Sequence, residues 1–311
     1  MPFFSVIIPL YNKESHIKDT LNSIIKQNFK DFEIIIINDG STDGSLEAAK
    51  LVSDNRIKIY SQNNSGASSA RNLGIKKAIG NYIALMDGDD IWYPNHLQEF
   101  HNSISKFPDA GLFCNAYDIK LSKSQIVKAS YSIRKREIPH IIDDYFLAST
   151  IRSLGWTSAI AFSKNDFYNI GEFKPKITSG QDLDFLIRFA LKKTVIFNPK
   201  TTCYYDKTVA NSLSKENHQE SKRILFNSFQ QEEKLNKSLN IYLNLNRYSL
   251  AIQCKLAKNK TTFAKLYPEI DKKLLNFKQK ILLEMPSNIL MLTKKFHLFL
   301  ITKGIYISSF K

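Results

Sequence analysis

Short apolar runs alternate with amphipathic segments through the first hundred residues of the chain. The apolar runs are Ser5–Leu10, Phe32–Ile37, Ile57–Tyr60 and Tyr82–Met86. Their length and composition indicate strands, and Phe32–Ile37, which is too apolar to alternate, is predicted to be covered on both faces. The segments between and after them have the periodicity or end signals of helices: Glu14–Lys26, a segment that ends near Val52, Gly66–Ala78 and Pro94–Phe107. This order of elements predicts an α/β fold with a mostly parallel sheet and helices on both faces.

The pattern continues less regularly up to about residue 206. Further strands are predicted at Leu112–Tyr117, Trp156–Phe162 and Val195–Phe197, and further helices at Lys164–Asn169 and Asp182–Leu191. Residues 120–150 give a weaker signal, for which we predict a hairpin-like excursion and a short helix near residues 143–147. Beyond residue 208 glycine nearly vanishes and apolar residues fall at helical spacing. We therefore predict a domain over residues 1–206 and an α-helical C-terminal extension over residues 207–311.

Charge distinguishes the two parts of this 311-residue chain. Residues 1–206 have a net charge of +3, whereas residues 207–311 contain 19 basic and 7 acidic residues, a net charge of +12. The extension therefore suits an anionic partner such as a membrane surface, an acidic substrate or nucleic acid. A lysine-rich surface that reflects an AT-rich genome is the alternative. No aromatic and basic interleaving or known motif supports nucleic acid, so we expect none.

Cysteine and histidine give no sign of a metal centre. The three cysteines lie far apart and are expected to be reduced and structural. The six histidines form no ligand pair, and we expect them at the surface. The first residues lack a basic segment followed by a cleavage site, and the chain contains no run of 18 uncharged apolar residues. We therefore expect a cytoplasmic protein without a membrane-spanning helix.

Polar side chains follow the predicted strands where the strands end. Asp87-Gly88-Asp89-Asp90 follows the fourth strand, Asp39 the second and Pro9 to Asn12 the first, while Gly180-Gln181-Asp182 opens a later helix. Carboxyl ends of parallel strands share one edge of a sheet, which is where ligands bind in such folds. Two carboxylates spaced two residues apart suit Mg²⁺ or Mn²⁺. The alternative is a solvated turn that also caps the next helix.

Other side chains at these strand ends suit a nucleotide. Asp39 could accept hydrogen bonds from a base or a ribose hydroxyl, Tyr11 could stack on a base, and Arg71 could contact a base or a diphosphate. Each residue alone has a plain structural alternative, and their joint placement favours binding. No GxGxxG motif follows the first strand, and the P-loop and GxSxG motifs are absent. These absences disfavour NAD and FAD enzymes, P-loop NTPases and serine hydrolases of the nucleophile-elbow type.

Four segments taken together resemble glycosyltransferase family 2. They are Ser5–Asn12, Asn38–Asp43, Asn64–Gly74 and Leu85–Asp90. The resemblance, which spans about residues 3–205, implies a GT-A, Rossmann-like fold, a nucleotide-sugar donor, a divalent metal (Mg²⁺ or Mn²⁺) and inversion at the anomeric carbon. The donor-binding positions that it implies are Pro9, Tyr11, Asp39, Arg71 and Asp87. Asp87 and Asp89 match the DxD pair, with Asp89 as the preferred metal ligand, and Trp92 matches a packing residue.

The same resemblance implies a general base at the start of a later helix. The family usually has Glu-Asp there, whereas this chain has Gln181-Asp182. Because glutamine cannot exchange a proton, Asp182 is the implied base unless Asp184 replaces it. The structural alternative for Asp182 is an acidic residue that is stabilised by the helix dipole.

The resemblance and the tail together predict a function. We expect a non-processive glycosyltransferase that moves a sugar, most simply from a UDP-sugar, to a saccharide hydroxyl, because membrane helices and a QxxRW motif are absent. The expected acceptor is a lipid-linked precursor of capsule, O-antigen or exopolysaccharide. Apolar residues Ile289, Leu292, Phe296 and Phe299 with nearby lysines predict peripheral contact with an anionic membrane. The alternatives are helix packing for the tail, and a sugar-1-phosphate nucleotidylyltransferase or a non-catalytic binding module for the chain.

Overall fold

The chain forms two compact units in a computed structural model that describes residues 1–121, 125–206 and 218–302, with side chains as far as residue 297. The first unit contains Met1–Tyr145 and, among the described residues, 152–206. The second contains Phe146–Ile151 and the described residues of the last third. The predicted boundary after residue 206 lies next to residues 207–217, which are outside the described residues. The assignment of residues 146–151 to the second unit was not predicted.

A ten-stranded sheet forms the centre of the described part of the first unit. Its strands are β1 (Phe4–Leu10), β2 (Phe32–Asp39), β3 (Ile57–Gln62), β4 (Tyr82–Leu85), β5 (Ile91–Trp92), β6 (Leu112–Lys120), β7 (Ile126–Lys128), β8 (His140–Ile142), β9 (Ile160–Ser163) and β10 (Val195–Asp206). The main order is β3-β2-β1-β4-β9-β6-β10-β5, while β7 pairs with β6 and β8 with β10. Strands β3, β2, β1 and β4 are parallel, and β9 runs antiparallel to both β4 and β6.

Helices of the first unit lie between the strands. They are α1 (Ile17–Ile25), α2 (Ser45–Lys50), α3 (Gly66–Lys77), α4 (His96–Lys106), α5 (Tyr145–Ala148, which continues into the second unit), α6 (Lys164–Ile170) and α7 (Gln181–Lys192). Apolar residues of α1 join the core with alternate residues of β1 and β2. Helix α3 packs so closely on the sheet that a Cβ on Gly74 would lie 2.5 Å from the Ile7 side chain. The prediction that Phe32–Ile37 is covered on both faces is therefore confirmed, because every residue of β2 is buried, whereas no residue of β3 is fully buried.

Two strands differ from the sequence-based prediction. Strand β9 begins only at Ile160, because Thr157–Ala159 forms a 3₁₀ turn. Strand β10 extends to Asp206, far beyond the predicted Phe197. Pro199 lies where its register against β6 shifts, between Asn198 and Thr201. Because proline cannot donate a ladder hydrogen bond, this irregularity accommodates it, and the polar residues that follow conceal the strand in the sequence.

Histidine and cysteine placement is only partly as expected. The cysteines Cys114, Cys203 and Cys254 are free and buried, as predicted. A surface position is wrong for His96, which is fully buried, and for His140, which is 7% exposed. His96 stacks on Trp92 with ring centroids 4.1 Å apart, and its Nδ1 lies 2.7 Å from Thr202 Oγ1. Burial lowers the pKa of His96 to about 3, so this ring is neutral at ordinary pH.

The described part of the second unit is α-helical. Its helices are α8 (Gln219–Asn227), α9 (Gln230–Leu235), α10 (Lys237–Leu256), α11 (Lys260–Leu266), α12 (Phe277–Glu284) and α13 (Ser287–Thr302). The long helix α10 packs against the other five. Phe146, far away in sequence, is 3% exposed and its ring lies 5.8 Å from that of Tyr242. Within the described residues, no helix has the length and apolarity that crossing a bilayer requires.

Candidate active site

The acidic segment Asp87–Asp90, here called the acidic loop, follows β4 and is held by two hydroxyl groups. The Asp87 backbone N–H donates to Ser158 Oγ at 2.9 Å, and the Ser158 hydroxyl donates to Asp90 Oδ2 at 2.6 Å. Thr20 Oγ1 lies 3.2 Å from the Gly88 carbonyl and 3.0 Å from that of Asp90. These contacts fix the loop before any ligand binds. Sequence analysis missed Ser158 and Thr20 because neither belongs to a motif.

Asp90 differs from the other two carboxylates of the loop. It is 3% exposed. Burial raises the pKa of Asp90 well above its usual range, and the charges of Asp87 and Asp89 add to the rise although the Ser158 hydrogen bond opposes it. The Trp92 indole also donates to the Ser158 carbonyl at 2.7 Å and is 2% exposed, which confirms the predicted packing role. Asp90 therefore anchors the loop and is poorly placed to bind a ligand.

Asp87 forms an ion pair with Arg71 of α3. The distance from Arg71 Nη2 to Asp87 Oδ1 is 2.7 Å. Arg71 is 6% exposed, and its guanidinium lies 5.5 Å from the centre of the Phe173 ring. Its Nε is buried and has no hydrogen-bond partner among the described residues. A buried cation with an unused donor is suited to a further anionic or carbonyl oxygen.

Asp39 lies at the end of β2 and is 3% exposed. Its Oδ1 accepts from Gln62 Nε2 at 2.6 Å and from the Ser65 backbone N–H at 2.8 Å, while Oδ2 accepts from the Gly66 N–H at 2.8 Å. The carboxylate thus caps α3, the helix that carries Arg71. Each carboxylate oxygen has two lone pairs, so Oδ2 retains capacity for one further donor. The contact of Asp39 with a base or a ribose stays a prediction.

The end of β1 lies beneath the acidic loop. A Cβ on Gly88 would lie 3.5 Å from the Pro9 carbonyl oxygen and 3.5 Å from Lys13 Cγ, so the two segments are in close contact. The next residue but one, Tyr11, is 45% exposed. Asn12 has a positive φ of 51°, and its Oδ1 accepts from the Thr42 N–H at 2.9 Å. The chain therefore turns at Asn12 and leaves the Tyr11 ring accessible at the site.

Asp89 forms an ion pair with Lys13, a residue that sequence analysis did not select. Lys13 Nζ lies 2.6 Å from Asp89 Oδ2, and each side chain is 17% exposed. Its position directly after a strand-end cluster is the signal that could have revealed Lys13. No group of three or more metal-binding side chains occurs in the described part of the chain. Asp87 and Asp89 each keep one oxygen without a partner among the described residues, which fits a Mg²⁺ or Mn²⁺ site that substrate phosphates and water complete.

The two carboxylates at the start of α7 have different surroundings. Asp184 is fully buried and forms ion pairs of 2.7 Å with both Lys174 and Arg188. Asp182 lies in the first turn, is partly exposed and makes no hydrogen bond or ion pair with a described residue. Gly180, with a φ of 86°, begins the helix in a conformation that favours glycine. Asp184 is therefore engaged in structural ion pairs, whereas Asp182 remains accessible.

Contacts of Phe173 connect helix α3, which carries Arg71, with helix α7, which carries Asp182. The Asn72 side chain of α3 exchanges hydrogen bonds of 2.8 and 3.0 Å with the Phe173 backbone. The Phe173 ring stacks on Phe185 of α7, with centroids 4.2 Å apart. The structure thus joins Asp39, Arg71 and Asp87 in one contact network. Asp182 is linked to that network only through α7 and Phe173.

Comparison with known proteins identifies the class. The family model described as glycosyl transferase family 2 matches residues 5–170. Because this match covers more than half of the 311 residues, the chain belongs to glycosyl transferase family 2. The matched residues include Asp39, Arg71 and the acidic loop, and they end before Asp182.

Relatives and solved structures agree with this class. An uncharacterized glycosyltransferase of Rickettsia felis is 26% identical over 74% of this chain and 38% of its own length. The glycosyltransferase GlyA of Streptococcus pneumoniae is 32% identical over 50% of this chain and 23% of its own length. The chain therefore spans about two fifths or less of these two relatives. S. aureus TarS 1-349 has a TM-score of 0.65 at 20% identity, covering 98% of this chain and 93% of its own, and this likeness confirms the GT-A fold.

Proposed function

We propose that the chain is an inverting, non-processive glycosyltransferase that moves a sugar from a UDP-sugar to a hydroxyl group of a saccharide acceptor. The observation that carries the proposal is the contact network at the carboxyl ends of β1, β2 and β4. In it, Asp39 caps the helix that presents Arg71, and Arg71 pairs with Asp87 at 2.7 Å. Membership in glycosyl transferase family 2 supports the reaction type. The solved complex of S. aureus TarS 1-349 with UDP-GlcNAc, at a TM-score of 0.68 and 17% identity, supports the donor class.

The donor is bound by groups on three strand ends. Tyr11, at the end of β1 and 45% exposed, stacks on the base. Asp39 accepts a hydrogen bond from a base N–H or a ribose hydroxyl through its remaining lone pair. Pro9, next to Gly88 of the acidic loop, lines the donor site. Arg71 approaches the diphosphate with the Nε that has no hydrogen-bond partner in the described part of the chain.

Asp87 and Asp89 would hold a Mg²⁺ or Mn²⁺ ion through the oxygens that face no described donor. When bound, that ion would neutralise charge on the departing diphosphate. The role of the protein is to keep the two carboxylates at fixed positions, which Ser158 and Thr20 do through the backbone of the acidic loop.

Asp182 is the general base of the proposed reaction. It accepts the proton of the acceptor hydroxyl while that oxygen forms a bond to C1 of the sugar and the bond from C1 to the diphosphate oxygen breaks. A single displacement of this kind inverts the anomeric carbon and needs no second carboxylate for a covalent intermediate. The ion pairs of Asp184 with Lys174 and Arg188 favour Asp182 over Asp184 for this role.

The acceptor proposed here is a lipid-linked precursor of capsule, O-antigen or exopolysaccharide, met at the cytoplasmic face of a membrane. Helix α13 supports this part of the proposal. Its residues Ile289, Leu292 and Phe296, here called the α13 stripe, are 49%, 65% and 62% exposed, whereas Leu290 is 4% exposed. Phe299, the fourth predicted member, and the residues from 303 onward lie outside the described side chains. The net charge of +12 over residues 207–311 adds attraction to anionic lipid.

Calorimetry with UDP-, GDP- and dTDP-sugars in Mn²⁺ tests the donor and the metal together. We expect the wild-type protein to bind a UDP-sugar in a Mn²⁺-dependent way, and Asp89→Ala to lose that dependence. Asp109→Ala, at an exposed aspartate outside the site, is the matched control and should behave as wild type. Unchanged UDP-sugar affinity of Asp89→Ala in Mn²⁺ would refute the metal role. Binding of none of the three donor classes would refute the proposed function.

A further inference from the structure

Each of the three carboxylates of the acidic loop already has a partner within the protein. Arg71 pairs with Asp87 at 2.7 Å, and Lys13 pairs with Asp89 at 2.6 Å. Asp90, the third carboxylate, is buried and accepts a hydrogen bond of 2.6 Å from the Ser158 hydroxyl. A cation that arrives at this loop therefore meets positive charges that are bound there already.

The backbone of Lys13 is fixed by hydrogen bonds, and only its side chain reaches the acidic loop. Its N–H donates to Ser45 Oγ at 2.6 Å, and its carbonyl accepts from the N–H groups of His16 and Ile17, both at 2.9 Å. The side chain then passes beside Gly88 to reach Asp89. A lysine ammonium on a four-carbon stem can exchange one anion for another nearby, which the planar, partly enclosed guanidinium of Arg71 does less easily.

We propose that Lys13 and the divalent cation compete for Asp89, so that the cation binds well only together with a nucleoside diphosphate. In this scheme the diphosphate takes over the ammonium group of Lys13, and the carboxylate of Asp89 becomes available to the metal. The inference rests on the proposed function and deepens it, because it assigns to Lys13 the coupling between donor and metal. By linkage, the metal then raises the affinity for the diphosphate by the same factor.

Competition gives the site a simple charge balance. Without ligands, two carboxylates face two basic side chains. With ligands, the two charges of the metal are matched by the two charges of a diphosphate that is esterified at both ends, as in a UDP-sugar, so the total is unchanged. A metal ion alone would break the ion pair between Lys13 and Asp89 and place the Lys13 ammonium beside a divalent cation, which is unfavourable at this short range.

Binding of Mn²⁺ to the full chain tests this coupling directly. Free Mn²⁺ is measured by electron paramagnetic resonance, first without nucleotide and then with UDP. We compare wild type with Lys13→Gln and Lys13→Met, which remove the charge, and with Lys13→Arg, which keeps it. Lys18→Gln, at an exposed lysine of α1, controls for the change in net charge. Thermal unfolding shows whether each variant is folded. Agreement between Lys13→Gln and Lys13→Met would show that the effect comes from loss of the charge and not from the residue that replaces lysine.

The expected result is a change in coupling. Without nucleotide, Lys13→Gln and Lys13→Met should bind Mn²⁺ at least about 5-fold more tightly than wild type, a factor in the usual range of coupling between sites. UDP should then raise the Mn²⁺ affinity of these two variants by a smaller factor than it does in wild type. Lys13→Arg and Lys18→Gln should resemble wild type. Equal Mn²⁺ affinities of wild type and Lys13→Gln without nucleotide would overturn the Lys13 inference and leave the proposed function standing. An absence of Mn²⁺ binding even with UDP would overturn the metal site of the proposed function, and the Lys13 inference with it.

Discussion

Individual carboxylates at the site differ in what the protein already binds to them. Asp39 accepts hydrogen bonds from the start of α3, and Asp90 accepts one from Ser158. Asp184 forms ion pairs with Lys174 and Arg188. Asp182 makes no contact of this kind with the described residues. This contrast, which depends on distances and burial rather than on residue type, separates a candidate base from structural carboxylates.

Replacement of Asp182 by asparagine should lower turnover by roughly 10²–10⁴, the usual effect of losing a general base. Affinity for the UDP-sugar should change little, because Asp182 does not contact the donor-binding network. The measurement is kcat from steady-state kinetics beside donor affinity from calorimetry. Asp184→Asn is the comparison, and it should mainly lower stability because it breaks two ion pairs of a fully buried carboxylate. A larger loss of kcat in a folded Asp184→Asn would show that the base is assigned to the wrong residue.

At the scale of the element, Glu33 of β2 joins β1, β3 and the loop before β4 at the ends opposite the site. This residue of β2 is 4% exposed. Its Oε1 accepts from Ser5 Oγ of β1 at 2.6 Å and from the Ile79 N–H at 2.7 Å, and its Oε2 accepts from Lys58 Nζ of β3 at 2.9 Å. Although burial raises the pKa of Glu33, the hydrogen bonds from Ser5, Ile79 and Lys58 outweigh it, and the net pKa is lowered.

A lowered pKa makes the contribution of Glu33 to stability dependent on pH. The contribution is complete above the unfolded pKa of about 4.3, and it is lost as the pH falls through the lower folded value. Glu33→Gln should therefore reduce the free energy of unfolding by about 1–3 kcal/mol at pH 7, with a smaller difference near pH 3.5. Urea unfolding followed by tryptophan fluorescence reports on the first unit, which contains both tryptophans, Trp92 and Trp156. A difference that is the same at both pH values would contradict this assignment.

The strands that carry the donor-binding motifs were predictable because nearly every residue in them is buried. Ile34 to Ile37, all fully buried, leave no other interpretation of such a short run. Strand β10 was only partly predictable, since Pro199 and the polar residues after it interrupt the pattern. The partners of the motif residues were not predictable at all. Ser158 reaches Asp87 across 71 residues of sequence and Lys13 reaches Asp89 across 76, and no local pattern encodes such contacts.

At the scale of the whole molecule, charge and exposed apolar area are combined in the second unit. We expect the protein to sediment with anionic vesicles more than with neutral ones, and salt to reverse the binding only in part. A full-length variant with Leu292→Glu and Phe296→Glu should bind anionic vesicles at least about tenfold more weakly, because two side chains lose their apolar insertion.

Leu235→Glu provides the control for that measurement. Leu235 belongs to the same unit and is 90% exposed, but it lies on α9 and outside the α13 stripe. It should reduce vesicle binding much less. Equal sedimentation of wild type and the double variant would show that the α13 stripe does not contact lipid.

The discontinuous second unit has a consequence for how the chain is made. Phe146 leaves the ribosome 96 residues before Tyr242, the helix residue that its ring contacts. At synthesis rates of about 5–20 residues per second, that interval lasts roughly 5–20 seconds. Throughout it, Phe146 lacks the ring of Tyr242 that it contacts in the folded protein. An N-terminal fragment produced without α10 would lack the same contact permanently.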